Sequence, residues 1–317
     1  MRVIAVSRQP VPESKEKPLH IQKPSWLKAK IGGGKTYFNI KRDLRGKNLY
    51  TVCEEARCPN ISECWGANTA TFMILGDTCT RACRFCHVKT GNPGGWLDPD
   101  EGRKTARSVK SMGLGYAVIT MVDRDDLPDG GAAHVQSVLR EIRLAVPEIR
   151  IEFLGGDFSG RDKALKTLLT NGPEVFAHNI ETVERLTPRV RDARASYRQS
   201  LDVLRKAPNL ADYPVFTKSG IMLGLGEERQ EVLDAMADLR SAGVDFLTLG
   251  QYLRPTTRHL AIKRYVTPDE FKAFEQDALA MGFLAVASGP LVRSSYRAAD
   301  FYEKGMAQRA AATEATD

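Results

Sequence analysis

From residue 71 onward, short apolar runs with the composition of strands alternate with segments whose apolar residues recur at helical spacing. We predict seven strands, at residues 71–75, 115–122, 150–154, 175–177, 216–223, 246–249 and 283–287. Helical spacing is clearest over residues 135–142, 165–169, 232–239 and 268–281, and the last of these starts with an N-cap threonine followed by proline. Strands that alternate with helices form a parallel sheet. Six or seven such units without a dinucleotide-binding glycine motif favour an α/β protein with a partial or full (β/α) barrel.

Polar residues follow most of the predicted strands, at the positions where the loops of a barrel build its active site. They are residues 123–126, Asp157, His178, Asn179, Glu227, Glu228, Gln251, Tyr252 and Arg254. Turns are polar in any protein, so a single loop of this kind carries little information. Their recurrence after successive strands favours one shared site at the carboxyl ends of the sheet.

The basic character of the chain is concentrated near its amino terminus. Residues 1–50 carry twelve Lys or Arg and three Asp or Glu, so their net charge of +9 exceeds the +7 of the whole chain. Such a segment is either a solvated arm, fixed in places by Trp26, Tyr37 and Phe38, or a surface for an acidic partner. It lacks the apolar stretch of a secretory signal and the acid-free composition of a mitochondrial presequence, and no apolar run reaches the length of a membrane span. We therefore expect a cytoplasmic protein that does not bind membranes.

All six cysteines lie within residues 53–86, as two triplets. The first triplet has the spacing C-x4-C-x5-C, and the second has C-x3-C-x2-C. In a reducing compartment such clusters are typical of metal ligands, not of disulfides. Structural zinc usually takes four ligands in paired C-x2-C knuckles, and only the last two cysteines have that spacing. A haem-attachment or thioredoxin-like site at those two cysteines leaves the other four without a role. Two cubane iron–sulfur clusters with three cysteine ligands each fit both triplets better than zinc does.

The second triplet, in the segment Cys-Thr-Arg-Ala-Cys-Arg-Phe-Cys of residues 79–86, resembles the signature of the radical S-adenosylmethionine (SAM) superfamily. The first triplet, in residues 53–65, resembles the auxiliary-cluster motif of one family within it, the lipoyl synthases. The resemblance extends over roughly residues 45–305. It includes residues 124–132, 172–174, 177–179, 218–227, 251–255 and a segment at 289–296 that ends in Arg-Ser-Ser-Tyr.

This resemblance implies two [4Fe-4S] clusters with different roles. Cys79, Cys83 and Cys86 match the ligands of the cluster that binds SAM through its open iron and cleaves it to a 5′-deoxyadenosyl radical. The first triplet and one distant serine match the catalytic ligands of a sulfur-donating auxiliary cluster: Cys53, Cys58, Cys64 and Ser295. The candidate SAM contacts, taken from their positions at strand ends, are Asn179, Lys218, Glu227, Gln251 and Arg254.

The implied reaction inserts two sulfur atoms, at C6 and C8 of an octanoyl chain linked to a lysine of a lipoyl carrier domain, and uses two SAM molecules. The implied partners are octanoylated carrier domains (the glycine-cleavage H protein or the E2 component of a 2-oxoacid dehydrogenase), a ferredoxin- or flavodoxin-type electron donor, and an iron–sulfur cluster carrier. We expect no nucleic-acid partner.

Two alternatives remain at this point. One is another radical SAM sulfur-inserting enzyme, such as an RNA methylthiotransferase, which predicts an added RNA-binding domain. The other is a non-catalytic iron–sulfur carrier or redox sensor, which does not require a barrel.

We divide the chain into a basic N-terminal extension (residues 1–50), an auxiliary-cluster segment (51–70), a radical SAM barrel (71–290) and a C-terminal segment with the Arg-Ser-Ser-Tyr motif (291–317). Because lipoyl carrier domains are commonly acidic, the basic extension is expected to contribute to carrier docking.

Overall fold

The computed structural model describes residues 22–28, 35–47, 49–55, 58, 60–61 and 71–314 of the 317-residue chain. Three parts of the predictions lie outside the described residues: Cys64, most of the first 34 residues of the basic extension, and most of the auxiliary-cluster segment.

The described strands form one large and one small sheet. They are β1 (Tyr50–Thr51), β2 (Thr71–Ile74), β3 (Thr78–Cys79), β4 (Lys89–Thr90), β5 (Tyr116–Met121), β6 (Arg150–Leu154), β7 (Val175–Ala177), β8 (Phe216–Leu223), β9 (Phe246–Gln251) and β10 (Ala285–Gly289). Strands β3 and β4 pair with each other, and the other eight form one sheet in chain order. Adjacent strands of this sheet run parallel to each other, except that β1 runs antiparallel to β2.

Each parallel strand of the large sheet lies beside the next one in the sequence, so the chain winds in one direction as in a (β/α) barrel. Among the described residues, no strand pairing joins β10 to β1 or β2, and the sheet is not closed. The α/β class and the parallel sheet are confirmed, and the barrel is a partial one. Helices separate most of the parallel strands along the chain, as the crossover between parallel neighbours requires.

The described helices are α1 (Lys35–Gly46), α2 (Val52–Glu55), α3 (Glu101–Ser111), α4 (Ala132–Ala145), α5 (Asp162–Leu169), α6 (Thr187–Val190), α7 (Tyr197–Leu210), α8 (Arg229–Ser241), α9 (Pro268–Ala280) and α10 (Ala298–Glu314). The four predicted from apolar spacing correspond to α4, α5, α8 and α9. Helix α9 starts as predicted: the Thr267 hydroxyl accepts from the Glu270 N–H at 3.2 Å, and the Glu270 carboxylate accepts from the Thr267 N–H at 2.9 Å. The other six described helices, α1, α2, α3, α6, α7 and α10, were not predicted.

All seven predicted strands agree with the structure within two residues at each end, and the last is displaced as a whole by two residues. Strand β10 begins at Ala285, not at Phe283. The Phe283 N–H donates to the Ala278 carbonyl at 3.3 Å, so this residue belongs to the turn that ends α9. Strand β9 extends to Gln251 because its last residues still pair with β8 and β10.

The described part of the basic extension is packed against the body mainly through aliphatic residues. Leu27, Ile40 and Leu44 are buried, and Tyr50 packs against the same core as Ile40 and Leu44. Trp26 and Phe38 are exposed, at 42% and 63% of their surfaces, so their anchoring role stays a prediction that this exposure does not favour. The side chain of Tyr37 lies outside the described residues. For residues 35–46 the alternative of a solvated arm was wrong.

Helix α10 packs against residues at the amino-terminal ends of β8 and β9. The Phe216 and Phe246 rings stack with centroids 5.0 Å apart, and Phe301 meets Phe246 edge-on at 5.9 Å. A Cβ atom at Gly305 would lie 2.5 Å from the Phe246 ring, so the close approach of the helix requires glycine there. The helix thus covers one end of the partial barrel and leaves the carboxyl ends of the strands accessible.

A buried ion pair crosses the sheet near this covered end. The Lys218 ammonium group of β8 donates to the two Glu152 carboxylate oxygens of β6 at 2.8 and 3.0 Å, and both side chains are 1% exposed. The Tyr116 hydroxyl donates to the same carboxylate at 3.0 Å. Buried charges are tolerated only when they are paired in this way.

We predict that Lys218→Met lowers the free energy of unfolding by about 3–5 kcal/mol, because it leaves the Glu152 carboxylate buried without its cation. The measurement is urea unfolding followed by circular dichroism. As a control, Arg198→Met breaks an exposed pair with Glu184 and should cost less than about 1 kcal/mol. A Lys218→Met/Glu152→Leu variant should recover much of the loss. Equal costs for Lys218→Met and Arg198→Met would contradict the assignment.

Candidate active site

A cavity of about 450 Å³ lies at the carboxyl ends of the parallel strands. Six successive strands or the loops that follow them contribute to its lining, through Met73, Thr120, Leu154, Asn179, Ile221 and Gly250. Residues from β2 and β9 therefore face one space, which requires the sheet to curve around it. This location confirms the expectation that the strand ends share a site, and the volume is typical of ligand pockets.

The three cysteines of the second triplet line one side of this cavity. The Arg81 N–H donates to the Cys79 sulfur at 3.4 Å, and the Asp192 N–H donates to the Cys83 sulfur at 3.3 Å. Burial raises the pKa of Cys79 and Cys83 to about 12 and that of Cys86 to about 11.

This donor set fits an iron–sulfur cluster. All three thiols belong to one short loop and line the same cavity, and backbone N–H groups are placed to stabilise the thiolates that iron requires. The positive charge of the iron would offset the burial that otherwise disfavours deprotonation.

The loop between these cysteines is anchored by Arg81, whose side chain is 3% exposed. Its guanidinium donates to both oxygens of Asp157 at 2.8 and 2.7 Å and to both oxygens of Asp125 at 3.0 and 2.9 Å. Burial alone would raise the pKa of Asp157, but the hydrogen bonds from Arg81 outweigh it and lower that pKa to about 2. Since Asp125 follows β5 and Asp157 follows β6, one buried residue ties the loop to two strand ends.

Asp123 is the third carboxyl group around Arg81, and it lies at a longer distance. One of its oxygens is 3.8 Å from the guanidinium. Burial raises the pKa of Asp123 to about 6, with the negative charges of Asp157 and Asp125 adding to the effect and Arg81 opposing it. It lines the cavity and is the carboxyl group of this cluster that gains a proton most readily.

The C-terminal Arg-Ser-Ser-Tyr segment is bonded to the segment that carries the first cysteine triplet. The Asn60 side-chain amide donates to the Leu291 carbonyl at 2.6 Å. Burial lowers the pKa of Arg293, and the electrostatic effect of Cys58 opposes that shift. Ser295 is half-buried in the turn closed by the hydrogen bond from the Tyr296 N–H to the Arg293 carbonyl. The sequence separation of more than two hundred residues is therefore bridged by the fold.

The side chain of His87 connects the two cysteine segments. One ring nitrogen of His87, next to Cys86, lies 2.8 Å from the carbonyl of Glu55, between Cys53 and Cys58. The first and second triplets are thus adjacent, although Cys64 lies outside the described residues.

Buried His178 contacts the Gly155 carbonyl and the Ser200 hydroxyl, and burial lowers its pKa to about 4, so it is neutral and structural.

The five candidate SAM contacts divide into two groups. Asn179, Gln251 and Arg254 line the cavity. The Asn179 amide nitrogen donates to the Ser294 hydroxyl at 2.9 Å, which links the loop after β7 to the Arg-Ser-Ser-Tyr segment. The Gln251 side chain bonds to the backbone of Leu223, Tyr252, Arg264 and Val266, so it fixes loops.

Lys218 and Glu227 do not line the cavity. Lys218 is held in the ion pair with Glu152, and the Glu227 carboxylate accepts the N–H groups of Gly224 and Leu225 at 2.6 and 2.9 Å. Both positions argue for structural roles, and their contact with SAM stays a prediction that this geometry does not favour.

Glu181 is a cavity residue that the sequence analysis missed. It receives a hydrogen bond from the Asn179 amide at 3.2 Å, and burial raises its pKa. Its position, two residues beyond the polar pair that follows β7, is the signal that was overlooked.

We predict that Arg81→Leu lowers the iron content after anaerobic reconstitution from about eight to about four atoms per chain, because the cysteine loop loses its anchor. Iron and sulfide are measured per chain. Arg81→Lys keeps the charge but not the planar fork and should give an intermediate value. The control Arg103→Leu breaks an exposed pair with Asp100 and should keep the full complement. Full iron content in Arg81→Leu would contradict the prediction, because it would show that the cysteine loop keeps its conformation without the Arg81 guanidinium.

Comparison with known proteins places these features in a family. Residues 73–239 match the model of the radical SAM superfamily, and residues 8–58 match that of the N-terminal domain of lipoyl synthase of the radical SAM family. Among solved structures, methylornithine synthase (TM-score 0.53, 17% identity, 80% of this chain and 76% of that one) and the FeFe-hydrogenase maturase HydG of Carboxydothermus hydrogenoformans (TM-score 0.53, 12% identity, 85% and 60%) share the fold.

Curated relatives are much more similar in sequence. The lipoyl synthase of Thermus thermophilus is 52% identical over 93% of this chain and 91% of its own length. That of Anaeromyxobacter dehalogenans is 53% identical over 90% and 96%, and the mitochondrial lipoyl synthase of Arthroderma otae is 55% identical over 90% and 71%. With its cysteine-lined cavity at the strand ends of a partial barrel, the chain belongs to the lipoyl synthase family of radical SAM enzymes.

Proposed function

We propose that this chain inserts two sulfur atoms, at C6 and C8, into an octanoyl chain carried on a lysine of a lipoyl carrier domain. The observation that carries the proposal is that residues 292–294 line the same cavity as the second cysteine triplet. The C-terminal segment that contains them is also bonded to the first-triplet segment, through the Asn60 amide and the Leu291 carbonyl. A radical source and a sulfur source would thus lie near each other.

The residues divide by task. Cys79, Cys83 and Cys86 would hold the cluster that binds SAM. When bound, the cluster and SAM supply radical chemistry, which acid–base side chains cannot apply to unactivated C–H bonds. The sulfur-donating cluster would take its ligands from the first triplet and the C-terminal turn: Cys53, Cys58, Cys64 and Ser295.

The remaining cavity residues would bind and orient the substrates. Apolar side chains such as Phe85, Met222 and Leu253 line the cavity and suit an acyl chain. Asn179 and Arg254 offer polar groups toward SAM from the ends of β7 and β9, and Gln251 holds the surrounding loops. Curvature of the sheet around this space, with the substrates bound, would limit the access of water to the reacting atoms, which protects a reactive species from side reactions.

The proposed carriers are octanoylated H protein or E2 domains, with an electron donor of the ferredoxin or flavodoxin type and an iron–sulfur carrier to restore the clusters. In the described part of the chain, no helix has the length and apolarity needed to cross a membrane. We further propose a cytoplasmic location, because Glu13 and Glu16 depart from the acid-free composition of mitochondrial presequences.

We predict that the anaerobically reconstituted protein holds about eight irons per chain and, with SAM and dithionite, converts an octanoylated H protein to the lipoylated form. The product is identified by the mass gained on the carrier, with a non-octanoylated H protein as the control. Four irons, or SAM cleavage without a mass gain, would contradict the proposal. Modification of tRNA by the same preparation would support the methylthiotransferase alternative instead.

A second prediction concerns Ser295. A serine oxygen is a weaker partner for cluster iron than a thiolate, which would make one iron easy to release when sulfur is given up. We expect Ser295→Cys to retain its iron, to cleave SAM, and to form at least about tenfold less lipoyl product, since a barrier about 1.4 kcal/mol higher has that effect. Ser294→Cys, the same change one residue earlier, should not trap the iron. Undiminished product formation by Ser295→Cys would refute this role.

A further inference from the structure

The cysteine loop of residues 79–86 separates the cavity from the protein surface with a layer that is one turn thick. Cys83, Phe85 and Cys86 line the cavity, but Arg84 does not, and its side chain is exposed. The turn is closed by the hydrogen bond from the Cys86 N–H to the Cys83 carbonyl at 3.1 Å. Arg84 therefore marks the outer side of the wall whose inner side carries the thiols.

Two other segments meet this outer side. The Arg84 N–H donates to the Val190 carbonyl at 2.9 Å, and its guanidinium donates to the Arg189 carbonyl at 3.4 Å. From the other direction, the Leu260 N–H donates to the Arg84 carbonyl at 3.3 Å. These bonds join the chain segments that carry Arg189 and Arg258 to the segment of Arg84.

These three arginines, which we call the outer arginine patch (Arg84, Arg189 and Arg258), carry charge that the described part of the chain does not neutralise. All three are exposed, and none forms an ion pair with a described carboxylate. Acidic groups on the neighbouring segments are already paired: Asp192 with Arg194 at 2.8 Å, and Glu184 with Arg198 at 2.9 Å. The patch thus presents unneutralised positive charge, which attracts an acidic partner.

We infer that the outer arginine patch is the docking surface for an acidic protein that supplies single electrons to the site. This inference rests on the proposed function, which requires one electron for each SAM molecule cleaved. In that step the donor loses one electron, the iron–sulfur centre held by the loop gains it, and no atom is transferred. The rate of electron transfer falls steeply with distance. Electrons are therefore expected to enter where the layer of protein between the surface and the thiols is thin, as it is at the loop of residues 79–86.

The geometry favours an electron donor over the lipoyl carrier as the occupant. The carrier must deliver an acyl chain into the cavity, whereas none of the three patch residues lines it. An electron donor needs only to come near the loop from outside. The two partners would then approach from different sides and bind without excluding each other.

The test compares two charge-reversal variants that change net charge equally. Arg189→Glu/Arg258→Glu alters the patch, and Arg107→Glu/Arg140→Glu alters two exposed arginines on α3 and α4. A purified acidic flavodoxin is the probe. Its affinity for the reconstituted enzyme is measured by titration calorimetry at two salt concentrations, and SAM cleavage is measured with either reduced flavodoxin or dithionite as the reductant.

We expect the patch variant to bind flavodoxin roughly tenfold more weakly or worse, and wild-type affinity to fall with added salt. Flavodoxin-driven SAM cleavage should fall in parallel, while dithionite-driven cleavage and the affinity for the octanoylated carrier stay at wild-type values. The Arg107→Glu/Arg140→Glu control should resemble the wild type.

Unchanged flavodoxin affinity in the patch variant, or wild-type affinity that does not depend on salt, would overturn the inference. A loss of carrier affinity in place of flavodoxin affinity would do the same and would assign the patch to the carrier. If the reversal variant folds poorly, Arg189→Gln/Arg258→Gln repeats the test, with smaller changes expected in the same direction. A wild-type enzyme that forms no lipoyl product with dithionite would refute the proposed function, an outcome separate from these.

Discussion

The site depends on the buried guanidinium group of Arg81. The cysteine loop has little regular structure of its own, since only Thr78–Cys79 and Lys89–Thr90 pair around it. A guanidinium presents its donors in one rigid plane, so bonds to Asp157 and Asp125 fix both the position and the orientation of the loop. Because the pair is shielded from water, its loss would leave buried carboxylates without a cation. The location of the three thiols at the strand ends follows from this one residue.

With the loop fixed in this way, its two sides meet different surroundings. The inner side brings three thiols to a cavity that is enclosed by the curved sheet and largely apolar. The outer side exposes arginines to solvent. Substrate and electrons would thus reach the loop from opposite directions, and no residue would have to serve both. The loop of residues 79–86 forms a thin wall between the surface and the thiols. Such a wall matters for electron transfer only if an iron–sulfur cluster is bound behind it, and this connects the outer arginine patch to the cavity.

The chain after β10 serves both ends of the partial barrel. Residues 291–296 stay at the carboxyl ends of the strands, where the Leu291 carbonyl accepts from the Asn60 amide. Helix α10 then packs on the opposite end against Phe216 and Phe246. The turn that carries Ser295 is therefore held between two anchored segments. That arrangement brings the C-terminal segment to the segment of the first triplet without any local sequence signal.

The sequence alone determined seven strands of the parallel sheet and four of the helices, because buried strands need continuous apolar runs and helices need apolar residues at a spacing of three to four. Runs such as residues 150–154 and 216–223 therefore matched the structure. The two cysteine triplets were equally visible, since metal ligands are recognised by residue type and spacing. Only the tertiary structure decided which polar side chains face the cavity. Lys218 lies near the amino-terminal end of β8, and Glu227 follows the carboxyl end of that strand. Their charges are taken up by Glu152 and by two backbone N–H groups, respectively. Pairings such as Arg81 with Asp157, 76 residues apart, arise because the curvature of the sheet brings strand ends together, and no local pattern encodes that curvature.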